Sequence, residues 1–211
     1  MTVDLFPNSN LYETGYCVIF AKGISAKELL ARAGKEDIHP IGINRMEAEA
    51  IKALGEEIDE DIVPELSIEE LHDAGILVDD GPLLRAGTLG DWSFVVESEG
   101  AFLAGEGILA RVSVGSVALA AQLSDSMAAW ISYAENGEVL SSFDPLFPEQ
   151  DYGTRPERLE SLTGYREAIG GGDRSIAFES AFRKIQRELH CDIPKEVDEQ
   201  RLLTIRIPGG Y

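Results

Sequence analysis

The apolar positions near the start of the chain form one compact run followed by a helical spacing. Residues 16–21 are aromatic, β-branched or small, which predicts a buried strand that ends at Gly23. Ser25 precedes Glu28 by three residues, the spacing of a helix capping box, and Gly34 is placed to end the helix that follows. The sequence therefore predicts that a strand, a turn and a helix open the fold.

A second group of apolar runs lies between residues 91 and 144 and has the lengths and spacing of strands. The dipeptide Asn136-Gly137 separates two of these runs and predicts a hairpin, because a type I′ turn needs positive φ at both central residues. We predict an antiparallel meander over about 91–144. Four aromatic side chains are expected to be buried on one side of the sheet. They are Trp92, Phe94, Trp130 and Phe143.

The C-terminal part of the chain predicts one long helix and one more strand. Over residues 178–189 the large apolar side chains recur at helical spacing, which is typical of an amphipathic helix, and residues 202–207 predict a final strand. The segment that begins Phe-Asp-Pro at 143–145 is expected to wrap the sheet edge. The predicted fold class is α+β, an antiparallel sheet with flanking helices, in a single domain over 1–211.

Charge is distributed unevenly along the chain. The protein has 38 acidic and 18 basic residues and a net charge of −20. Residues 47–80 contain thirteen Asp or Glu and one Lys, so this segment carries twelve of the twenty net negative charges. We predict an acidic, mostly helical insertion at about 35–80. Two interpretations are open: a solvated surface that maintains solubility, or a surface that docks a basic partner.

The same charge and the apolar pattern exclude several classes of partner and location. A strongly negative field repels phosphate backbones and anionic lipid headgroups, so neither nucleic acid nor a membrane is expected as a partner. No apolar run approaches the roughly 18 residues of a membrane span, and the N-terminus does not have the pattern of a signal peptide. The expected location is cytoplasmic.

Residues with reactive side chains are few and stand in no motif. The two cysteines, Cys17 and Cys191, imply no disulfide framework, and Cys17 is expected to be buried in its strand. The glycine pattern at 105–110 imitates a dinucleotide-binding loop, but its surroundings favour a simple turn. The three histidines are more typical of structural or surface positions. They are His39, His72 and His190. We therefore predict no catalytic, cofactor-binding or metal-binding residue.

Several short motifs occur in one order along the chain. They are Tyr16-Cys17, Gly23 with the helix start 25–29, Gly90-Asp91-Trp92, Tyr133-Ala134 with Gly137, and Phe143-Asp144-Pro145. In this combination, over about 15–25 and 90–207, the chain resembles the bacterial domain-of-unknown-function family 6461. The resemblance implies an α+β fold and brings no catalytic residues, because the family has no established activity.

The leading functional hypothesis is a non-catalytic acidic domain that docks or neutralises a basic protein partner, as an immunity protein or an antitoxin does a toxin. The residues expected to bind this partner are Glu56, Glu57, Asp59, Glu60 and Asp61.

Two alternatives remain open. In the first, the chain is an enzyme or ligand-binding domain of unrecognised type that uses the loop carboxylates of Asp91, Asp144 and Asp151 with a tyrosine. In the second, it is a scaffold with a small-molecule pocket. A pocket lined by convergent polar groups favours these alternatives over a docking surface.

Overall fold

The structure is a computed structural model, and it describes residues 15–34, 38–77, 81–98, 102–124, 128–170 and 172–209. Eight strands form one sheet in which every neighbouring pair is antiparallel. The strands are β1 (Gly15–Lys22), β2 (Ile41–Ile43), β3 (Leu83–Leu89), β4 (Trp92–Ser98), β5 (Val117–Ser124), β6 (Ala129–Glu135), β7 (Glu138–Phe143) and β8 (Leu202–Arg206).

Among the described residues, seven α-helices and two 3₁₀ turns accompany the sheet. The helices are α1 (Ala26–Ala33), α2 (Arg45–Leu54), α3 (Ile68–Asp73), α4 (Ile108–Val112), α5 (Glu157–Thr163), α6 (Arg174–Leu189) and α7 (Lys195–Asp198), and the 3₁₀ turns are Gly55–Glu57 and Tyr165–Ala168. Polar N-caps begin the longer helices. Ser25 accepts from the backbone N–H of Glu28 at the start of α1, and Asn44 and Glu47 form a reciprocal capping box on α2. The predicted α+β class is confirmed.

The order of the strands differs in one respect from a continuous meander. The order is β2-β8-β3-β4-β1-β5-β6-β7, so β1 lies between β4 and β5 and only β5, β6 and β7 follow one another as a meander. No tight turn joins β4 to β5, because α4 lies in their connection. The apolar residues of β1 are at most 1% exposed from Tyr16 to Ala21, on both faces of the strand, which suits a central position. The meander predicted from residue 91 is therefore corrected to one that begins at β5.

Helices cover both faces of the sheet. On one face α5 and α6 pack on a cluster that includes Phe20 and Phe94, and the ring centroids of Phe20 and Phe182 are 6.3 Å apart. On the other face α1 and α4 pack on the opposite side chains of the same strands, including Ile19 and Val95. This division follows the two-residue period of the strands, which places successive side chains on opposite faces.

Three of the four aromatic residues predicted for the core are buried, and the fourth is not. Trp92, Phe94 and Phe143 are 5%, 1% and 0% exposed and belong to one cluster. Trp130 is 38% exposed, because the register of β6 gives the inward positions to Ala129 and to other small or apolar residues. Trp130 instead lies near Tyr152, with ring centroids 6.4 Å apart. The prediction was wrong for Trp130.

The predicted hairpin and the predicted edge segment are confirmed. Asn136 and Gly137 have φ of 51° and 87°, as the type I′ turn between β6 and β7 requires. The chain after β7 then turns back along that edge strand, where Ser142 and Tyr152 exchange two backbone hydrogen bonds of 2.6 and 2.8 Å. This return segment covers an edge that would otherwise expose unpaired backbone groups.

Candidate functional site

The acidic segment is built around an apolar cluster of its own. Between α2 and β3, large aliphatic side chains are buried at intervals although acidic residues separate them. They are Ile51, Ile58, Val63, Leu66, Leu71, Ile76 and Leu77. Ile43 of β2 and Leu83 of β3 belong to the same cluster, so the segment packs on one end of the sheet. Apolar burial therefore fixes the backbone from which the acidic side chains project.

The five residues predicted to bind a partner are all exposed and lie within six consecutive positions, and we call them the acidic face: Glu56, Glu57, Asp59, Glu60 and Asp61. The two glutamates lie in the 3₁₀ turn that follows α2, and the other three lie in the turns after it. Between the two groups, Ile58 is 5% exposed and turned into the cluster below. All five predicted residues are thus exposed within one short segment.

One residue of the acidic face also shapes its backbone. The carboxylate of Asp59 accepts hydrogen bonds from the backbone N–H groups of Asp61 and Ile62, at 3.1 and 3.2 Å. This is the local bonding by which aspartate favours turns. Glu60 and Asp61 lie at exposed positions in this turn.

Arg201 ties the acidic segment to the sheet. Arg201 directly precedes β8, and its guanidinium donates to the carboxylates of Glu47 and Glu65, the latter at 2.9 Å. It also donates to the carbonyl of Gly42 in β2 at 2.9 Å. Glu47 is thereby used inside the fold and is 7% exposed, so it belongs to the support of the acidic face and not to its surface.

The three loop carboxylates of the alternative hypothesis do not come together. Asp91 lies in the turn between β3 and β4, whereas Asp144 and Asp151 follow β7. Strands β1, β5 and β6 separate β4 from β7, a distance of about 19 Å at the usual strand spacing. These positions contradict a single site made of all three carboxylates.

Each carboxylate near β7 is used to fix the return segment. Asp144 accepts from the backbone N–H of Leu146 at 2.9 Å and forms an ion pair with Arg174, also at 2.9 Å. The Asp151 carboxylate accepts a hydrogen bond of 2.6 Å from the Ser141 hydroxyl. The same carboxylate lies 3.5 Å from the Tyr165 hydroxyl. Asp144 therefore acts as a turn former that accepts from the backbone two residues further on.

Partial burial affects the ionisation of Asp151 and its neighbour. Burial raises the pKa of Asp151 above its usual value, outweighing the hydrogen bonds from Ser141 and Ser142 that lower it. Burial and the nearby Asp151 carboxylate raise the pKa of Tyr165. The tyrosine therefore stays protonated at neutral pH and acts as a donor to the carboxylate.

A buried ion cluster joins α2, β3 and α7, and no sequence pattern predicted it. Asp198 is 1% exposed and lies between two guanidiniums, with Arg45 at 2.7 Å and Arg85 at 3.1 Å. Arg85 also donates to the backbone carbonyl of Asp198 at 2.7 Å. No strand was predicted at β3, which carries Arg85. The pair Gly90-Asp91 could have indicated it, because these residues form a two-residue turn between two apolar runs. The cluster itself has no such signal, because charged residues are ordinarily exposed.

The remaining reactive residues have structural surroundings. Cys17 and Cys191 are both buried and unpaired, and burial raises the pKa of each thiol. Within the described part of the chain, no group of three or more His, Cys, Asp or Glu side chains is arranged to hold a metal ion. None of the helices in that part combines the length and the apolar character that crossing a membrane requires.

The fold and this site define an α+β protein with an eight-stranded antiparallel sheet and an acidic segment at one end of it. The chain belongs to a family of unknown function, DUF6461, which matches residues 6–168. The family resemblance predicted from the motifs is thus confirmed. The match includes the acidic segment and ends before α6, although β8 completes the sheet between β2 and β3. No curated protein and no solved structure matches the chain.

Proposed function

We propose that this protein is a non-catalytic acidic domain that docks a basic protein partner through the acidic face. The observation that carries the proposal is the arrangement of residues 56–61, where five carboxylates are exposed and the single apolar residue among them is buried. An acidic segment that did not pack on the rest of the protein would not bury Ile58 between its acidic residues. A preorganised charged surface loses less conformational freedom when a partner binds than a flexible one does.

The charge of the whole protein supports the same reading. With a net charge of −20, long-range attraction brings a cationic partner to the surface and repels nucleic acid and anionic membranes. The proposal therefore includes a basic protein as the partner, with neutralisation of a toxin by an immunity protein or antitoxin as the form of action. It also includes a cytoplasmic location, which suits a protein with two unpaired cysteines.

The test compares two variants that have the same net charge. The first, which we call the face-reversed variant, changes all five residues of the acidic face to lysine. The second, the distributed control, changes five other exposed acidic residues to lysine. They are Asp91, Glu106, Glu149, Glu167 and Glu196. Both variants move the net charge from −20 to −10, since each of the five reversals adds two.

The experiment uses affinity capture from the source cells, followed by purification of the captured protein and measurement of its dissociation constant. We expect a basic protein that the wild type and the distributed control both bind, with a dissociation constant about tenfold or more higher for the face-reversed variant. Equal affinity for the two variants would mean that net charge alone drives the association. Failure of the wild type to bind any basic protein would remove the proposed function.

A further inference from the structure

Helix α2 exposes apolar side chains on the side that faces away from the core. Ala48 and Ile51 are buried in the cluster beneath the acidic segment. Met46 and Ala53 lie on the opposite side of the helix by its period of 3.6 residues, and both are exposed. A surface helix ordinarily presents charged or polar residues on that side. The outward side of α2 is therefore apolar where contact with solvent favours polar residues.

Two more exposed apolar side chains enclose the acidic face along the chain. Leu54 ends α2 two positions before Glu56, and Ile62 directly follows Asp61. The side chains of Met46, Leu54 and Ile62 are 67%, 37% and 44% exposed, and we call these three residues the apolar flanks. Met46 is the most exposed of the large apolar residues in the described part of the chain.

Hydrogen bonds hold the backbone on which the apolar flanks stand. The N–H of Gly55, next to Leu54, donates to the carbonyl of Ile51 at the end of α2. The N–H of Ile62 donates to the carboxylate of Asp59 at 3.2 Å, in the turn that carries the acidic residues. Apolar and acidic side chains thus project from one supported segment, so little conformational freedom is lost when a partner binds.

Charge decides which kind of molecule can cover the apolar flanks. A second copy of the chain would bring its own net charge of −20 towards the acidic face, and juxtaposed like charges oppose association. Anionic lipid headgroups are repelled for the same reason. A cationic protein is attracted by the five carboxylates, and its binding removes the apolar side chains from water.

We propose that the apolar flanks and the acidic face together bind a basic, amphipathic segment of the partner, in which aliphatic side chains lie beside lysine or arginine. This rests on the proposed function, because the acidic face is common to both. Charge then sets the rate of association, and apolar contact slows dissociation. Methionine suits such a surface, because its unbranched side chain adapts to partners of different shape.

The test uses two synthetic helical peptides of equal length and equal positive charge. Lysines flank a stripe of leucine in the first peptide and a stripe of alanine in the second. Dissociation constants are measured by fluorescence anisotropy at one salt concentration. We expect the wild type to bind the leucine peptide about tenfold or more tightly than the alanine peptide, because leucine buries more apolar surface.

Two triple variants locate the apolar contact without changing the net charge. The flank variant combines Met46→Gln, Leu54→Gln and Ile62→Gln, and it is expected to bind the two peptides alike. Its control changes three other exposed aliphatic residues to glutamine and is expected to keep the tenfold preference for leucine. Met46→Gln alone is expected to lose part of the preference, and it serves as the test if the triple variant does not fold. The three control positions are Leu89, Leu162 and Ile176.

Equal affinity of the wild type for the two peptides, or an unchanged preference for leucine in the flank variant, would overturn the proposal. The proposed function would still stand if the face-reversed variant bound both peptides more weakly than the distributed control did. Equal binding of each peptide by these two charge variants would instead remove the proposed function. Absence of binding of either peptide to the wild type would overturn both.

Discussion

Arg85 donates a hydrogen bond of 3.1 Å to the carboxylate of Asp198, although the two residues are 113 positions apart in the sequence. The other oxygen of that carboxylate accepts from Arg45 at 2.7 Å. One buried carboxylate therefore joins the helix that precedes the acidic face, a central strand and the short helix before β8. This contact places the C-terminal part of the chain in the structural support of the acidic segment.

Replacement of Asp198 by asparagine tests this contact. Two nearly buried guanidiniums lose their shared negative charge, and removing one partner from a buried ion pair typically costs about 3–5 kcal/mol of unfolding free energy. We expect a loss of that order for Asp198→Asn in denaturant titration. Glu199→Gln is the control, because the neighbouring side chain is 54% exposed and a surface change is expected to cost under about 0.5 kcal/mol. Equal losses in both variants would contradict the contact.

The turn between β6 and β7 gives a second prediction. Gly137 has φ of 87°, and a Cβ at this position would lie 3.4 Å from a methyl group of Val114. Gly137→Val is expected to lower the unfolding free energy by about 1–3 kcal/mol, since a β-branched residue is strained at positive φ. Gly137→Asn is expected to lose less, because asparagine tolerates this backbone conformation. A similar melting temperature for Gly137→Val and the wild type would show that the turn has another conformation.

The local elements were predictable from the sequence because each has a local cause. The Asn136-Gly137 turn, the apolar run of β1 and the helical spacing of α6 depend on residues close together in the chain. The positions of β1 and β8 inside the sheet do not. They follow from burial on both faces and from pairing between distant segments, which local periodicity cannot specify.

The acidic face was predictable for the same reason, since charge is visible in composition. The buried contacts that support the acidic face were not predictable from the sequence. Glu47, Arg201 and Asp198 have the same residue types as the solvated charges around them, and only their tertiary contacts distinguish them. Trp130 is a similar case, because its exposure depends on the register of β6, and a shift of one residue would reverse its face.

The two tryptophans are expected to differ in fluorescence. Trp92 is 5% exposed, and its indole N–H donates to the carbonyl of Leu189 at 3.0 Å, whereas Trp130 is 38% exposed. The emission that remains in Trp130→Phe should be shifted to shorter wavelength and resist acrylamide quenching. The emission of Trp92→Phe should be readily quenched. Comparable quenching of the two single-tryptophan proteins would contradict the assigned faces.

Glu135 gives a prediction about pH. Burial by itself would raise the pKa of this carboxyl, but hydrogen bonds from Arg158 at 2.8 Å and from Tyr133 at 2.9 Å lower it below its usual value. A carboxyl whose pKa is lower in the folded than in the unfolded protein stabilises the fold above its unfolded pKa, and this contribution is lost as pH falls through the folded pKa. Glu135→Gln should therefore lower the melting temperature at pH 7 and have little effect in strong acid. An equal decrease at both pH values would indicate a packing effect instead.

The most direct test of the proposed function is the rate at which the captured basic partner associates with the wild type, the face-reversed variant and the distributed control, measured by stopped flow over a salt series. Exposed charges act over about 30 Å at 0.01 M salt and about 10 Å at 0.1 M, so a surface that steers its partner loses association rate across this range. We predict a steep decrease for the wild type, a smaller decrease of the same kind for the distributed control, and a slow, nearly salt-independent rate for the face-reversed variant. The same rate and the same salt dependence in the two variants would contradict the account, because the acidic face would then contribute no more than any other five carboxylates.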